Sequence, residues 1–301
     1  MSAHVVALVA ITLFAAVVNG GLGYGFSSIT VPLALLFLSN RVLNPALVLI
    51  EVALNAYVLF VNRDALGLIW KRMIPIVVGL LPGVILGTSI VTSLEASWLK
   101  LWTYLVLLPL ILLQAAGVRR PIQAERAIGY PFGFGLGVLY SMTTISGPPL
   151  ALLLNNQGLG KREFRASLGF IRLAESSFTA IAYLSAGLIT KQSNLLIPQI
   201  LPSVLIGVPI GAALIRQMKV ETFRRICMSF DAWIVGFGLS RTIIELKLLS
   251  TSAAYGIWGT VIVFDLYLLY QYFVLGRFRP RMASRTAADA VDVPARRVAG
   301  L

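Results

Sequence analysis

The sequence predicts an all-α polytopic membrane protein. It reads as two inverted repeats of about five helical elements each, with broken or re-entrant helices, plus one extra C-terminal helix. Three observations carry this. Of 301 residues, 58% are hydrophobic and 12% charged, and the mean hydropathy is +0.86. A soluble domain would carry about a quarter charged residues, so no soluble surface can be made from this composition. The apolar residues come in long runs rather than alternating with polar ones, which excludes a β-barrel. Lastly, a short segment interrupted by Gly, Ser, Thr and Pro occurs once in each half.

The elements follow in order. Ala3–Val18 is an apolar run without the basic start of a signal peptide. NGGLGYGFSS, residues 19–28, is too rich in glycine to continue as a regular helix. The apolar piece TVPLALLFL, residues 30–38, is too short to cross a bilayer core about 30 Å thick. Pro45–Val61, Arg72–Val91 and Trp98–Ala116 are full-length spans, and GVRRPIQAER, residues 117–126, is a basic connection. Ile128–Ser141 then repeats the opening theme. MTTISGPP, residues 142–149, is the second break, and Leu150–Leu154 the second short piece. Phe164–Ala186, Leu195–Ile215, Phe223–Ser240 and Ala253–Leu275 complete the spans before an Arg-rich tail.

The halves resemble each other. Pro32 aligns with Pro149, Ile50 with Ile171, and Gly83 and Gly87 with Gly207 and Gly211. The offset drifts slowly, as small loop insertions would make it. Residues 1–116 form the first repeat and 128–247 the second, joined by a cytoplasmic linker at 117–127. Residues 248–275 are the additional helix and 276–301 a basic cytoplasmic tail. Basic residues set the orientation. Arg277, Arg279, Arg281 and Arg285 place the tail inside. Arg216, Lys219, Arg224 and Arg225, then Lys161, Arg162 and Arg165, and Arg63, Lys71 and Arg72 are inside as well. Lys247, Lys191, Arg41 and Lys100 are outside, and so is the N-terminus. Equivalent elements thus face opposite ways.

Several function classes fall away. Cys227 and His4 are the only residues of their kinds, so no internal disulfide and no Cys/His metal, haem or iron–sulfur site can form. The net charge of +13 collects at segment ends and in the tail, as headgroup contacts and orientation signals do. Nucleic acid is therefore not an expected partner. Gly133, Gly135 and Gly137 follow no strand and precede no lysine, so they make no phosphate loop. No nucleophile–base pair is evident, so the chain is read as a non-enzyme without cofactor or metal.

The two breaks are the candidate binding site. Irregular backbone in a membrane must be buried or line a cavity. The first offers Ser27, Ser28 and Thr30, the second Thr143, Thr144, Ser146 and Gly147. Helix starts carry free N–H groups and a partial positive charge, so two meeting near the midplane suit an anion. The competing reading makes the same residues N-caps and packing glycines. Intramembrane ionisable residues come next. Arg172, with Glu175, Ser176 and Thr179 on one helix face, is the candidate charge partner for an anion; the alternative is a salt bridge to Glu175. Glu51, Asn55, Glu175, Asp231 and Asp265 are coupling or gating candidates, with structural roles open for the two aspartates.

SGPPLALLLNNQGLGKREFRASLGF, residues 146–170, resembles the second-half signature of the TauE/SafE sulfite exporter family. Lys161, Phe164, Arg165, Ala166 and Leu168 match its Lys-x-x-Phe-Arg-Ala-Thr-Leu-like segment, with Ser167 in place of Thr. GLGYGFSSITVPLALL is a looser match to the first break. The resemblance implies a secondary transporter in the bacterial inner membrane that exports sulfite or a small organosulfonate such as sulfoacetate. An importer of a similar anion, or an anion channel with two re-entrant loops, are the alternatives. The implied partners are a small anionic substrate and the lipid bilayer, with protons as candidate coupling ion and a homodimer as candidate assembly.

Overall fold

The computed structural model describes residues 3–116, 125–155, 159, 161–214 and 220–275. Most of the linker, residues 216 and 219, and the tail from 276 lie outside the described residues. Among those described there are eleven α-helices, one 3-10 turn and no strand. In chain order they are α1 (Ala3–Leu22), α2 (Phe26–Ala34), α3 (Asn40–Val61), α4 (Leu66–Ser93), α5 (Ala96–Ala115), α6 (Glu125–Thr143), α7 (Gly147–Asn155), α8 (Lys161–Ser185), α9 (Lys191–Leu214), α10 (Val220–Glu245) and α11 (Thr251–Phe273). The 3-10 turn, Arg63–Ala65, joins α3 to α4.

The protein is a multi-pass membrane protein. Six segments are long and apolar enough to cross a bilayer by length and composition: α1, α3, α4 with the turn before it, α5, α9 and α11. Helices α8 and α10, of 25 and 26 residues, have the length but carry charges. Their ionisable residues Arg172, Glu175 and Asp231 are buried, as membrane-depth charges must be. Exposed apolar residues such as Ile85, Leu205 and Val263 face outward, where lipid solvates them.

Both breaks are shorter than the sequence suggested. Helix α1 runs on through Asn19, Gly20, Gly21 and Leu22, and only 23–25 interrupt it. Gly25 has φ 109°, a left-handed conformation that side-chain-bearing residues avoid. Helix α6 likewise runs on to Thr143, and the second break is 144–146, with Thr144 at φ 57°. Helix α6 also begins at Glu125, inside the segment read as linker. The helices after the breaks, α2 and α7, have nine residues each. Each spans roughly 13 Å, less than half the hydrocarbon thickness.

Packing follows a pattern. Helix α1 lies along α9 and α4 along α6; α3 crosses α8, and α5 lies against α10. Helix α10 also touches α2, as α5 touches α7, while α11 packs on α10 and α5. Small residues set the closest approaches. A Cβ at Gly211 of α9 would sit 1.8 Å from Val17 O, and one at Gly83 of α4 would sit 2.2 Å from Phe134 O. Only glycine permits backbones this near.

Candidate functional site

The two breaks meet. A Cβ on Gly147, at the start of α7, would lie 3.1 Å from Tyr24 Cβ in the first break. Beside them, near the middle of α3 and α8, is a buried charged cluster. Glu51 of α3 accepts three hydrogen bonds. Ser27 Oγ donates to Oε1 at 2.5 Å, Arg172 Nη2 to the same oxygen at 2.9 Å, and Tyr140 OH to Oε2 at 2.7 Å. Helices α2, α3, α6 and α8 thus converge on one carboxylate. Arg172 therefore pairs with Glu51, not with Glu175 three residues along its own helix. Glu175 instead accepts from Ser146 Oγ at 2.5 Å, and its Oε1 has no partner among the described residues. In each half, a hydroxyl at the start of the short helix donates to a carboxylate on the long helix that follows.

The remaining candidates divide. Ser28 Oγ and Thr30 Oγ1 are buried without partners among the described residues, as is Arg172 Nε. The N-cap of α2 is Gly25, with no side-chain cap, so Ser27 and Ser28 are not capping residues. Thr143 is engaged locally: its Oγ1 donates to Leu139 O at 2.7 Å and accepts from Ile145 N at 3.0 Å. Thr144 Oγ1 donates to Thr143 O at 2.6 Å. These two threonines shape the break, and their hydroxyls are occupied. Asn55 Nδ2 donates to Arg172 O at 3.3 Å, tying α3 to α8 one turn beyond Glu51.

The two aspartates stand apart from this cluster. Asp265 of α11 accepts from Ser229 Oγ at 3.0 Å and Trp233 Nε1 at 2.9 Å, bonds that fasten α11 to α10. Asp231 of α10 is buried, and neither of its oxygens has a partner among the described residues. Neither residue bonds to Glu51, Arg172 or Glu175.

Sequence reasoning missed Tyr140, the third donor to Glu51. Its signal was a polar-tipped aromatic four residues before the break, at the end of the apolar run of α6. It also missed a cavity of about 640 Å³ with a mixed lining, polar at Asn62, Asp64, Arg162 and Arg165 and apolar at Leu22 and Phe164 among others. Arg165 Nη2 reaches Gly21 O at 3.4 Å, just ahead of the first break. Arg165 and Arg172 lie seven residues apart on α8, two turns or about 10 Å. Further hydrogen bonds gather at the opposite end of the α3–α8 pair. Asn44 Nδ2 donates to Met142 O at 2.8 Å, Tyr183 OH donates to Ser141 O, and Arg41 Nη2 reaches Leu94 O at 2.8 Å.

The one guanidinium of the cluster is engaged by Glu51 through Nη2 and leaves Nε without a partner among the described residues. Among the described residues no group of His, Cys, Asp and Glu could hold a metal ion. A family model described as Sulfite exporter TauE/SafE matches residues 8–236. No curated protein and no solved structure matches the chain significantly.

Proposed function

The chain belongs to the TauE/SafE family of membrane sulfite exporters, and on that premise we propose that it exports a small sulfur oxyanion, sulfite or an organosulfonate such as sulfoacetate, across the bacterial inner membrane. The observation that carries the site is the buried Arg172 beside two meeting helix starts, with its Nε and the Ser28 and Thr30 hydroxyls unpartnered among the described residues. Arg172 balances substrate charge and grips two oxygens at once, as a guanidinium does. Ser28 and Thr30 supply further donors. Ser27 and Ser146 hold the two carboxylates, and Thr143 and Thr144 set the backbone of the second break around Gly147.

Transport is by alternating access between two inverted repeats. Helix pairing supports the repeat. Exchanging α1 with α6, α2 with α7, α3 with α8, α4 with α9 and α5 with α10 turns the α1–α9 contact into α6–α4, and α2–α10 into α7–α5. The same offset that aligns Ile50 with Ile171 carries Glu51 onto Arg172. The cavity beside Arg162 and Arg165 is the proposed substrate vestibule, and the basic-residue pattern supports a cytoplasmic position for it, with the N-terminus outside. An exporter loads from that side. Asn44, Tyr183 and Arg41 hold the outer side closed and must part for release.

The test is flux in proteoliposomes. Wild type shows saturable movement of labelled sulfite. Arg172→Ala abolishes it while the purified protein still inserts and elutes as a single species. Arg172→Lys restores little, because an ammonium cannot form the fork. Unimpaired flux through the alanine variant refutes the site; single-channel conductance through wild type refutes the carrier.

A further inference from the structure

The cluster holds two carboxylates and one cation. With Glu51 and Glu175 both ionised its formal charge is −1 before any substrate arrives. Arg172, the cation meant for the anion, already lies 2.9 Å from Glu51. Among the described residues, the groups around Glu51 bring no second positive charge. Helix α8 supplies Arg172 and Glu175, and α6 supplies Tyr140. Helix α2 supplies only Ser27. On α9 the one ionisable residue is Lys191, at its first position; on α4 they are Lys71 and Arg72, in its first two turns; on α5 they are Lys100 in the first turn and Tyr104, whose OH donates to Pro32 O. With both carboxylates ionised, an anion reaching this cluster meets excess negative charge at a depth where charge is costly.

We propose that each anion is bound and carried together with one proton, and that Glu51 is the group that takes the proton. This rests on the anion-carrier reading above. A proton from cavity water forms an O–H bond on Glu51 Oε1, the oxygen that Arg172 and Ser27 now share. The Glu51 charge disappears, the hydroxyl finds Ser27 Oγ as acceptor, and Oε2 keeps its bond from Tyr140. Arg172 turns its charge to the oxyanion. On release the anion leaves, the proton returns to water on the far side, and Glu51 recaptures Arg172. Anion and proton neutralise each other, so adding both leaves the cluster's charge unchanged for a monoanion. Flux of a monoanion then responds to a pH difference and not to membrane potential.

The test uses purified full-length protein and methanesulfonate, whose charge does not change between about pH 5 and 8, with sulfite alongside and corrected for its own ionisation. Wild-type affinity weakens toward about tenfold per pH unit at the alkaline end, the limit for one linked proton. A pH indicator in weak buffer registers about one proton taken up per methanesulfonate bound. Glu51→Gln removes the slope, while Glu51→Asp and Glu175→Gln keep it. Binding by wild type without proton uptake overturns the proposal and leaves the carrier reading standing. A slope that survives in Glu51→Gln, or vanishes only in Glu175→Gln, overturns the assignment to Glu51. If neither anion binds wild type at any pH, the carrier reading itself fails, and the proposal with it.

Discussion

Replacing Ser28 with alanine deletes a buried hydroxyl that has no partner among the described residues. Its neighbour Ser27 donates to Glu51 at 2.5 Å, so the two variants form an internal control. If Ser28 is a substrate donor, Ser28→Ala removes one hydrogen bond to a charged ligand. That is about 1.5–3 kcal/mol, or roughly a 10- to 100-fold rise in Kd. Stability should not fall, because an unsatisfied buried hydroxyl contributes nothing favourable and deleting it is neutral or better. Ser27→Ala should behave differently. It takes one of three donors from a buried carboxylate and should cost about 1–3 kcal/mol of stability. Equilibrium binding of labelled sulfite and thermal unfolding in detergent measure the two quantities on the same samples. An unfolding temperature that drops as far in Ser28→Ala as in Ser27→Ala, with Kd unchanged, would make Ser28 a packing residue. The first helix start would then leave the site.

Two further predictions concern the scaffold. Gly211→Ala forces a Cβ to within 1.8 Å of Val17 O and should destabilise by more than the about 1–3 kcal/mol usual for overpacking. Gly259→Ala on α11 has nothing within 4 Å and should stabilise by about 0.5–1 kcal/mol; thermal unfolding compares them. Topology is read with a thiol reagent that does not cross membranes. The single native cysteine, Cys227, is buried and can be replaced by serine. A cysteine at exposed position 194 should then label from outside in intact cells, and one at exposed position 64 only after lysis. The reverse pattern would invert the orientation and put the vestibule on the outer side.

The helix ladder was legible because each span is a long apolar run, and runs are what hydropathy reports. The extent of the first break was not, because glycine serves two purposes that look alike in sequence. Gly23 and Gly25 take positive φ and do break the helix. Gly20, three residues earlier, stays helical: a Cβ there would lie 2.1 Å from Val208 O, so its smallness serves contact with α9. Only the partner helix distinguishes the two uses. Pro45 gave a similar false signal: the span read as opening there begins at Asn40, with Pro45 inside the helix.

Of the buried cluster, Ser27, Glu51, Ser146, Arg172 and Glu175 were named from sequence, but their pairing was not. Along one helix, Arg172 and Glu175 share a face and are natural partners. The structure gives Arg172 to Glu51, at a separation of 121 residues, and Glu175 to Ser146. Under the two-fold relation proposed above, Glu51 and Arg172 are the same position in the two halves. Equivalent positions can touch only where the chain crosses the symmetry axis, midway between the two helix starts. Two identical ionisable residues there would repel each other, glutamate against glutamate or arginine against arginine. Glutamate in one half and arginine in the other make an ion pair there instead. That cation is held by Glu51, which also accepts from Ser27 at the first helix start. A pair held between α3 and α8 parts when those helices move relative to each other, whereas a salt bridge confined to α8 would move with it as one rigid helix.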